Sequence, residues 1–335
     1  MPTLKEIKGR IASVRSTLKI TSAMKLVASA KLRRTQTAIE NMRRYEQQLQ
    51  AILSAVQPDG GVLAGGAFFQ YDRASLQSDR ASLQPGGASA IVAIASNSSL
   101  CGGFNAAAIA KLRSVRSAGD TVYSVGRKMA DAMRKDGFPS PEDLSELSEH
   151  PSYTAAAQLF DRLAEDYRQG KVDRVLLVYT HFESTARQVP VVEVLLDKMA
   201  PHLCQEDIAH FTPASSSVLV GPSVQPAAPV MPGSDVSVMP GTDQTSDSDW
   251  ASVEPIIEPS REELLKVLVP KVLRLKVYAA LLDSAAAEHA ARTVAMQTAT
   301  DNAEDLLSEL TLQYNKGRQQ KITAEILDLA GGQAE

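Results

Sequence analysis

Apolar residues recur at steps of three and four along the start of the chain: Leu4, Ile7, Ile11, Val14 and Leu18, then Ala38, Met42, Tyr45, Leu49, Ile52 and Val56. This is the seam of a helix that packs lengthwise on another helix. Between the two runs the phase slips, around residues 20–35, and Met24, Val27 and Ala28 carry the seam. Pro2 and Thr3 stand where a helix tolerates proline, and only Gly9 interrupts the pattern before Pro58-Asp59-Gly60-Gly61. The pattern predicts one helix over residues 1–57, about 85 Å long at 1.5 Å per residue. A compact domain of this size is not that long, so the helix must project or pair.

Residues 58–87 lose the period. They are rich in Gly, Ser and Gln and repeat themselves, Asp72-Arg73-Ala74-Ser75-Leu76-Gln77 being followed by Asp79-Arg80-Ala81-Ser82-Leu83-Gln84. That composition predicts a solvent-exposed insertion. Over residues 88–200 continuous apolar runs alternate with helical patterns. Strands are expected at 90–95, 121–125 and 172–181, with a further one at 188–196. Helices are expected at 102–117, 127–135 and 153–168. Alternation of this kind predicts a small α/β layer domain with a mostly parallel sheet. Residues 201–258 are dense in Pro, Ser, Gly, Val and Asp and read as a flexible linker or long surface insertion.

The helical period returns over residues 259–330. Ser260 is placed to cap it, with Glu262 and Glu263 in the first turn. Pro270 is expected to kink or restart the helix. Beyond it Leu275, Ala279, Leu282 and Ala286 share one face, as do Ala299, Ala303, Leu306, Leu310 and Tyr314, and then Ile322, Ile326 and Leu329, until Gly331-Gly332. Two long helices bracket an α/β layer, and an antiparallel pair is the economical packing. The small residues Ala285-Ala286-Ala287 and Ala290-Ala291 would let the backbones approach closely, giving a thin rod.

Composition sharpens this. The chain has 335 residues, 5% aromatic, and a net charge of -4. The first helix departs from that balance, with eleven Lys and Arg against three Glu. It therefore presents an elongated basic surface suited to acidic partners. Nucleic acid is disfavoured, because aromatics are not interleaved with the cations. Cys101 and Cys204 form no CxxC pair, so neither a disulfide framework nor a zinc site is expected. Cys204, Asp207 and His210 are incidental neighbours, and Cys101 reads as a packing residue. No run of about 18 apolar residues marks a membrane span. Phosphate-loop, HExxH and GxSxG motifs are lacking. Cys101-Gly102-Gly103, after a strand and opening a helix, superficially resembles a phosphate-binding turn but lacks GxGxxG.

The terminal segments resemble a known family. Residues 11–32, Ile-Ala-Ser-Val-Arg-Ser-Thr-Leu-Lys-Ile-Thr-Ser-Ala-Met-Lys-Leu-Val-Ala-Ser-Ala-Lys-Leu, resemble the N-terminal signature of F-type ATP synthase gamma subunits. Residues 288–303, from Glu288-His289-Ala290-Ala291-Arg292, and 314–326, from Tyr314-Asn315-Lys316-Gly317, are similar to the family's C-terminal signatures. Ser99-Leu100-Cys101-Gly102-Gly103-Phe104-Asn105 is similar to its Leu-Cys-Gly segment. Before Leu100 the family usually has a charged residue and a glycine, and here stand Asn97-Ser98-Ser99. The segment 201–258 lacks the paired cysteines of plastid members, so a thiol switch is not expected.

The resemblance implies an α/β protein: a long antiparallel coiled coil of the N- and C-terminal helices plus a small Rossmann-like α/β domain. It implies a rotor shaft without catalytic site or cofactor, inside a hexamer of alpha and beta subunits and contacting the epsilon subunit and the c-ring. It implies a peripheral place on the cytoplasmic side of a bacterial inner membrane, since no convincing transit segment opens the chain. By position in the motifs, Met24, Lys25, Arg292, Gln319, Thr323 and Glu325 are the implied contacts or coupling residues. Three other readings compete: a coiled-coil adaptor with an α/β domain, a nucleotide-binding α/β enzyme with a coiled-coil arm, and a basic nucleic-acid adaptor.

Overall fold

The computed structural model describes residues 3–56, 88–197 and 260–331. The expected insertions at 58–87 and 201–258 lie outside the described residues. Helix α1, Leu4–Val56, and helix α6, Arg261–Gly331, run antiparallel along each other. By helical rise they are about 80 Å and about 105 Å long. Thr3 opens α1 with a reciprocal cap: its hydroxyl accepts from the Glu6 amide, and Glu6 Oε2 accepts from the Thr3 amide.

The register of the pair is fixed at several heights. Leu4 lies against Gly317, Thr21 meets Thr300, and Leu32 and Ile39 pack with Leu282, Ala286 and Ala290. Alanine supplies the close approach that the sequence suggested. The seam differs from expectation in α1. Val27, Tyr45 and Ile52 are exposed, and on α6 so is Leu306. Leu32 and Ile39, in and just after the stretch where the phase slips, carry the contact instead. Pro270 does not end the helix: α6 runs through it as one element. Val269, Val272 and Leu273 are buried on either side, and this packing holds the turn that lacks one amide donor.

Between the long helices lie β1 (Ser89–Ile94), α2 (Phe104–Val115), β2 (Thr121–Val125), α3 (Arg127–Lys135), α4 (Ser145–Glu149), α5 (Tyr153–Arg168), β3 (Arg174–Phe182) and β4 (Gln188–Asp197). The sheet order is β2-β1-β3-β4; β1 is parallel to both neighbours and β4 is antiparallel to β3. The strand β1 is buried throughout, which explains its unbroken apolar run. Ala90, Val92 and Ile94 face a core built with α5 and α6. Ile91 and Ala93 face a second core with α2 and α3. The long C-terminal helix is thus one of the layers covering the sheet.

Candidate functional site: the rod surface and its junction with the sheet

The eleven cations of α1 are Lys5, Lys8, Arg10, Arg15, Lys19, Lys25, Lys31, Arg33, Arg34, Arg43 and Arg44. None forms an ion pair within 4 Å among the described residues. All but Lys25 are exposed. A helix carrying these cations, beside a helix of balanced charge, leaves the rod with two chemically different sides.

Apolar side chains also face outward. On α1 these are Ile20, Leu26 and Val27, with Leu26 70% exposed. On α6 they include Leu312, Ile322, Ile326 and Leu327. Past Gly317, which faces Leu4 at the start of α1, helix α6 carries exposed residues almost all round. A helix with apolar side chains on an unpaired end is suited to a surrounding partner rather than to water.

The six residues singled out from sequence do not form one cluster. Met24 and Lys25 are half-buried and follow Thr21 by about one turn. Gln319, Thr323 and Glu325 are exposed on the end of α6. There the Thr323 hydroxyl donates to the Gln319 carbonyl at 2.9 Å, and Glu325 lies 3.6 Å from Lys321. Arg292 lies 27 residues earlier on the helix, about 40 Å away by helical rise. Its side chain is only 12% exposed; it pairs with Glu288 at 2.7 Å and donates to Ser98 Oγ at 2.7 Å.

Arg292 belongs to a junction that sequence reasoning missed. Arg274 meets Asp161 at 2.7 Å and Lys276 meets Glu193 at 2.6 Å. His181 Nδ1 lies 2.5 Å from Asp283, whose other oxygen accepts from the Phe182 amide at 3.2 Å. These ties join α6 to α5, β4 and β3. Charged residues on an otherwise apolar helix face were the available signal, but their partners lie too far away in sequence to be named.

The turn after β1 abuts the same helix. Cys101 is buried with Phe104 and Ala287, as its packing role required. Gly102 has φ +58, and a Cβ there would lie 3.8 Å from the Ala295 Cβ. The start of α2, which superficially resembled a phosphate-binding turn, therefore faces α6. Burial raises the Glu288 carboxyl above the usual range, against the pull of Arg292. Burial, followed by repulsion from Arg292 and Lys31, brings His289 down to about 4, so its ring is neutral near pH 7.

No group of three His, Cys, Asp or Glu among the described residues is placed to hold a metal. No helix among them is long and apolar enough to cross a membrane.

A family model described as ATP synthase matches residues 3–334. Among curated proteins the chain is 41% identical to the ATP synthase gamma chain of Phocaeicola vulgatus, over 99% of each chain. It is 34% identical to that of Flavobacterium johnsoniae, over 99% of this chain and 98% of the relative. Among solved structures it resembles a chain of the Euglena gracilis mitochondrial ATP synthase, in a structure titled OSCP/F1/c-ring, with TM-score 0.59 and 19% identity. That match covers 98% of this chain and 93% of the other, and supports the fold. On the strength of a family model spanning nearly every residue and full-length relatives at this identity, the chain belongs to the ATP synthase gamma chain family.

Proposed function

We propose that this chain is the central rotor shaft of an F-type proton-translocating ATP synthase. It couples proton flow through the c-ring to ATP synthesis or hydrolysis in the beta subunits. The paired helices turn inside the hexamer of alpha and beta subunits. The α/β portion (88–200) meets the epsilon subunit and the c-ring. The shaft carries no catalytic site of its own. The complex stands on a bacterial inner membrane, with this subunit peripheral on the cytoplasmic side. The segments 58–87 and 201–258 are insertions on this plan.

The observation that carries the reading is the lopsided rod. One helix has eleven cations unpaired among the described residues, and the other is balanced and longer. A shaft with equal contacts in every orientation would shift no equilibrium among the beta subunits. A rod with different sides meets each of them differently as it turns. Met24 and Lys25, beside exposed Leu26 and Val27, are the proposed contact with the acidic surface of beta. Gln319, Thr323 and Glu325, on the unpaired end of α6, are the proposed contacts nearer the top of the cavity. Arg292 commits its guanidinium to Glu288 and Ser98, which favours a place in the junction.

Co-expression of the tagged chain with its own organism's alpha and beta subunits tests the reading. Recovery of an ATP-hydrolysing complex with alpha and beta in excess over the tagged chain supports it. Recovery of the tagged chain alone, or tight ATP binding by the isolated chain, overturns it.

A further inference from the structure

A rotor that receives torque at one part and delivers it at another must resist twisting where the two parts join. The ties nearest the sheet involve Arg274, Lys276 and Asp283. Farther along α6 the join passes to the turn after β1, through Ser98, Cys101 and Gly102. Arg292 makes the polar contact there.

That turn is built as a stiff block. Asn105 Oδ1 accepts from the Ser96 amide and hydroxyl, both at 3.0 Å. Asn97 bridges to two other elements, accepting from the Arg127 amide at 3.0 Å and donating to the Ser145 carbonyl at 2.9 Å. Leu100 is held at φ 69, a conformation that a leucine keeps only when its surroundings over-determine it. A contact to such a turn transmits displacement, whereas a contact to a slack loop would absorb it.

On the α6 side, Glu288 is 8% exposed and holds the guanidinium from within its own helix, one turn earlier. The same terminal nitrogen, Nη2, also donates across to Ser98 Oγ on the turn. One cationic nitrogen shared between a buried carboxylate on its own helix and a hydroxyl on the turn links the two parts at a single point.

We propose that Arg292 is a positioning residue that keys the rod to the turn after β1, with Ser98 as its acceptor, so that the α/β portion and the coiled coil rotate as one body. This rests on the rotor reading. The key acts between two parts of the same chain and does not touch the hexamer.

The test uses the whole enzyme reconstituted in vesicles, reading protons moved per ATP hydrolysed. Ser98→Ala removes only the acceptor. It is expected to lower that ratio. Arg292→Ala also strips the buried Glu288 carboxyl of its partner and is expected to lower the ratio at least as far, while adding Ser98→Ala to it is expected to change nothing further, because the bond between the two parts is already gone. Arg292→Lys, which keeps the charge on a shorter arm, is expected to recover part of the ratio.

A rescue separates a key from a hexamer contact. In a background of Cys101→Ala and Cys204→Ser, the pair Ser98→Cys with Arg292→Cys is expected to show the same lowered ratio. Bridging the two thiols with a short bifunctional reagent, of about the length of the lost guanidinium arm, is expected to restore coupling. A ratio unchanged by Ser98→Ala, or a bridged pair that keeps the lowered ratio in a fully assembled enzyme, overturns the key alone. Failure of the unaltered chain to assemble with alpha and beta overturns the rotor reading and the key together.

Discussion

The Thr300 hydroxyl lies 3.0 Å from the Thr21 hydroxyl across the two helices of the rod, and both residues are buried. Thr21 in turn donates to the Leu18 carbonyl at 3.1 Å. The Met296 carbonyl is also within 2.8 Å of Thr300. The one Thr300 proton is thus shared between the bond across the rod and a bond within its own helix. A single polar pair in an Ala- and Leu-rich seam fixes the height of one helix against the other, because any slide leaves two hydroxyls opposite carbon.

Thr300→Val keeps the shape and removes the hydroxyl. Its expected cost is about 1 kcal/mol, the usual net worth of such a bond. Thr21→Val together with Thr300→Val is expected to cost less than the sum of the single changes, since neither side then leaves an unmatched polar group. Urea unfolding of the four chains checks this. Strict additivity would show that the two hydroxyls do not interact.

Gly317 offers a change of opposite sign. A Cβ there would lie 3.1 Å from Leu4 Cδ2, the far end of a flexible side chain, and nothing else limits it within 4 Å except Leu4 Cγ at 4.0 Å. Removing a glycine from a helix interior favours the helix by about 0.8–1.0 kcal/mol. Gly317→Ala is therefore expected to stabilise the chain by roughly 0.5 kcal/mol after Leu4 adjusts. Gly126 shows the contrary case. It has φ +97, and a Cβ would lie 2.2 Å from the Ala95 carbonyl oxygen, which is backbone and cannot swing away. Gly126→Ala is expected to cost more than about 3 kcal/mol, combining strain with a clash. Thermal unfolding of both variants reads the contrast.

Two groups give the chain opposing pH dependences. Burial, opposed by Arg43 and reinforced by Glu193, raises Glu46 to about 7. Its folded form binds a proton more tightly than its unfolded form, so its contribution is favourable at low pH and is lost as pH rises from about 4.5 to 7. His289, lowered to about 4, resists the proton when folded, so stability is lost as pH falls from 6.5 towards 4. Glu46→Gln is expected to remove the decline on the alkaline side of this window, and His289→Gln the decline on its acid side. Unfolding midpoints taken from pH 4 to 8 check both (the window follows from the two pKa values above). Profiles of unchanged shape would show that neither group titrates out of its ordinary range.

How much of this could be read from the chain depended on the distance over which each feature is determined. Helix α3 at 127–135 and α5 at 153–168 were legible to the residue, because periodic apolar side chains and the Ser152 cap are local signals. The antiparallel turn of β4 was legible in principle. Only residues 183–187 separate it from β3, too few for the crossover that a parallel pair needs. Pro270 was read as a kink or a restart, and the helix does not restart there, because buried neighbours that become visible only once the sheet is in place keep α6 continuous. The seam of α1 was half right: Ile7 and Leu49 are buried, but Val27 and Tyr45 are exposed, and Leu32 and Ile39, in and just after the phase slip, carry the contact. The junction was not legible. Ser98 and Arg292 are 194 residues apart, and His181 and Asp283 are 102 apart, so nothing local pairs them. Gln319, Thr323 and Glu325 were named by motif alone, and the contacts given for Thr323 and Glu325 stay within their own helix.

That exposed end of α6 supplies a direct test of the contact role. Ile322, Ile326 and Leu327 lie beyond the reach of α1 and bury little within the chain. Replacing Ile322 and Ile326 by Asp removes apolar surface that the isolated chain hardly uses. Its unfolding free energy is therefore expected to stay within about 0.5 kcal/mol. If a surrounding collar of partner subunits covers this end, two charges there must be desolvated without partners on assembly. ATP turnover of the assembled enzyme, or the yield of assembly, is then expected to fall by at least ~10-fold, the factor for about 1.4 kcal/mol. The paired measurement separates the two effects: calorimetry of the isolated chain reads the fold, and turnover reads the contact. Normal assembly and normal turnover in the Ile322→Asp, Ile326→Asp variant would mean that this end of the rod turns in open water, and the contact role of its neighbours Gln319, Thr323 and Glu325 would fall with it.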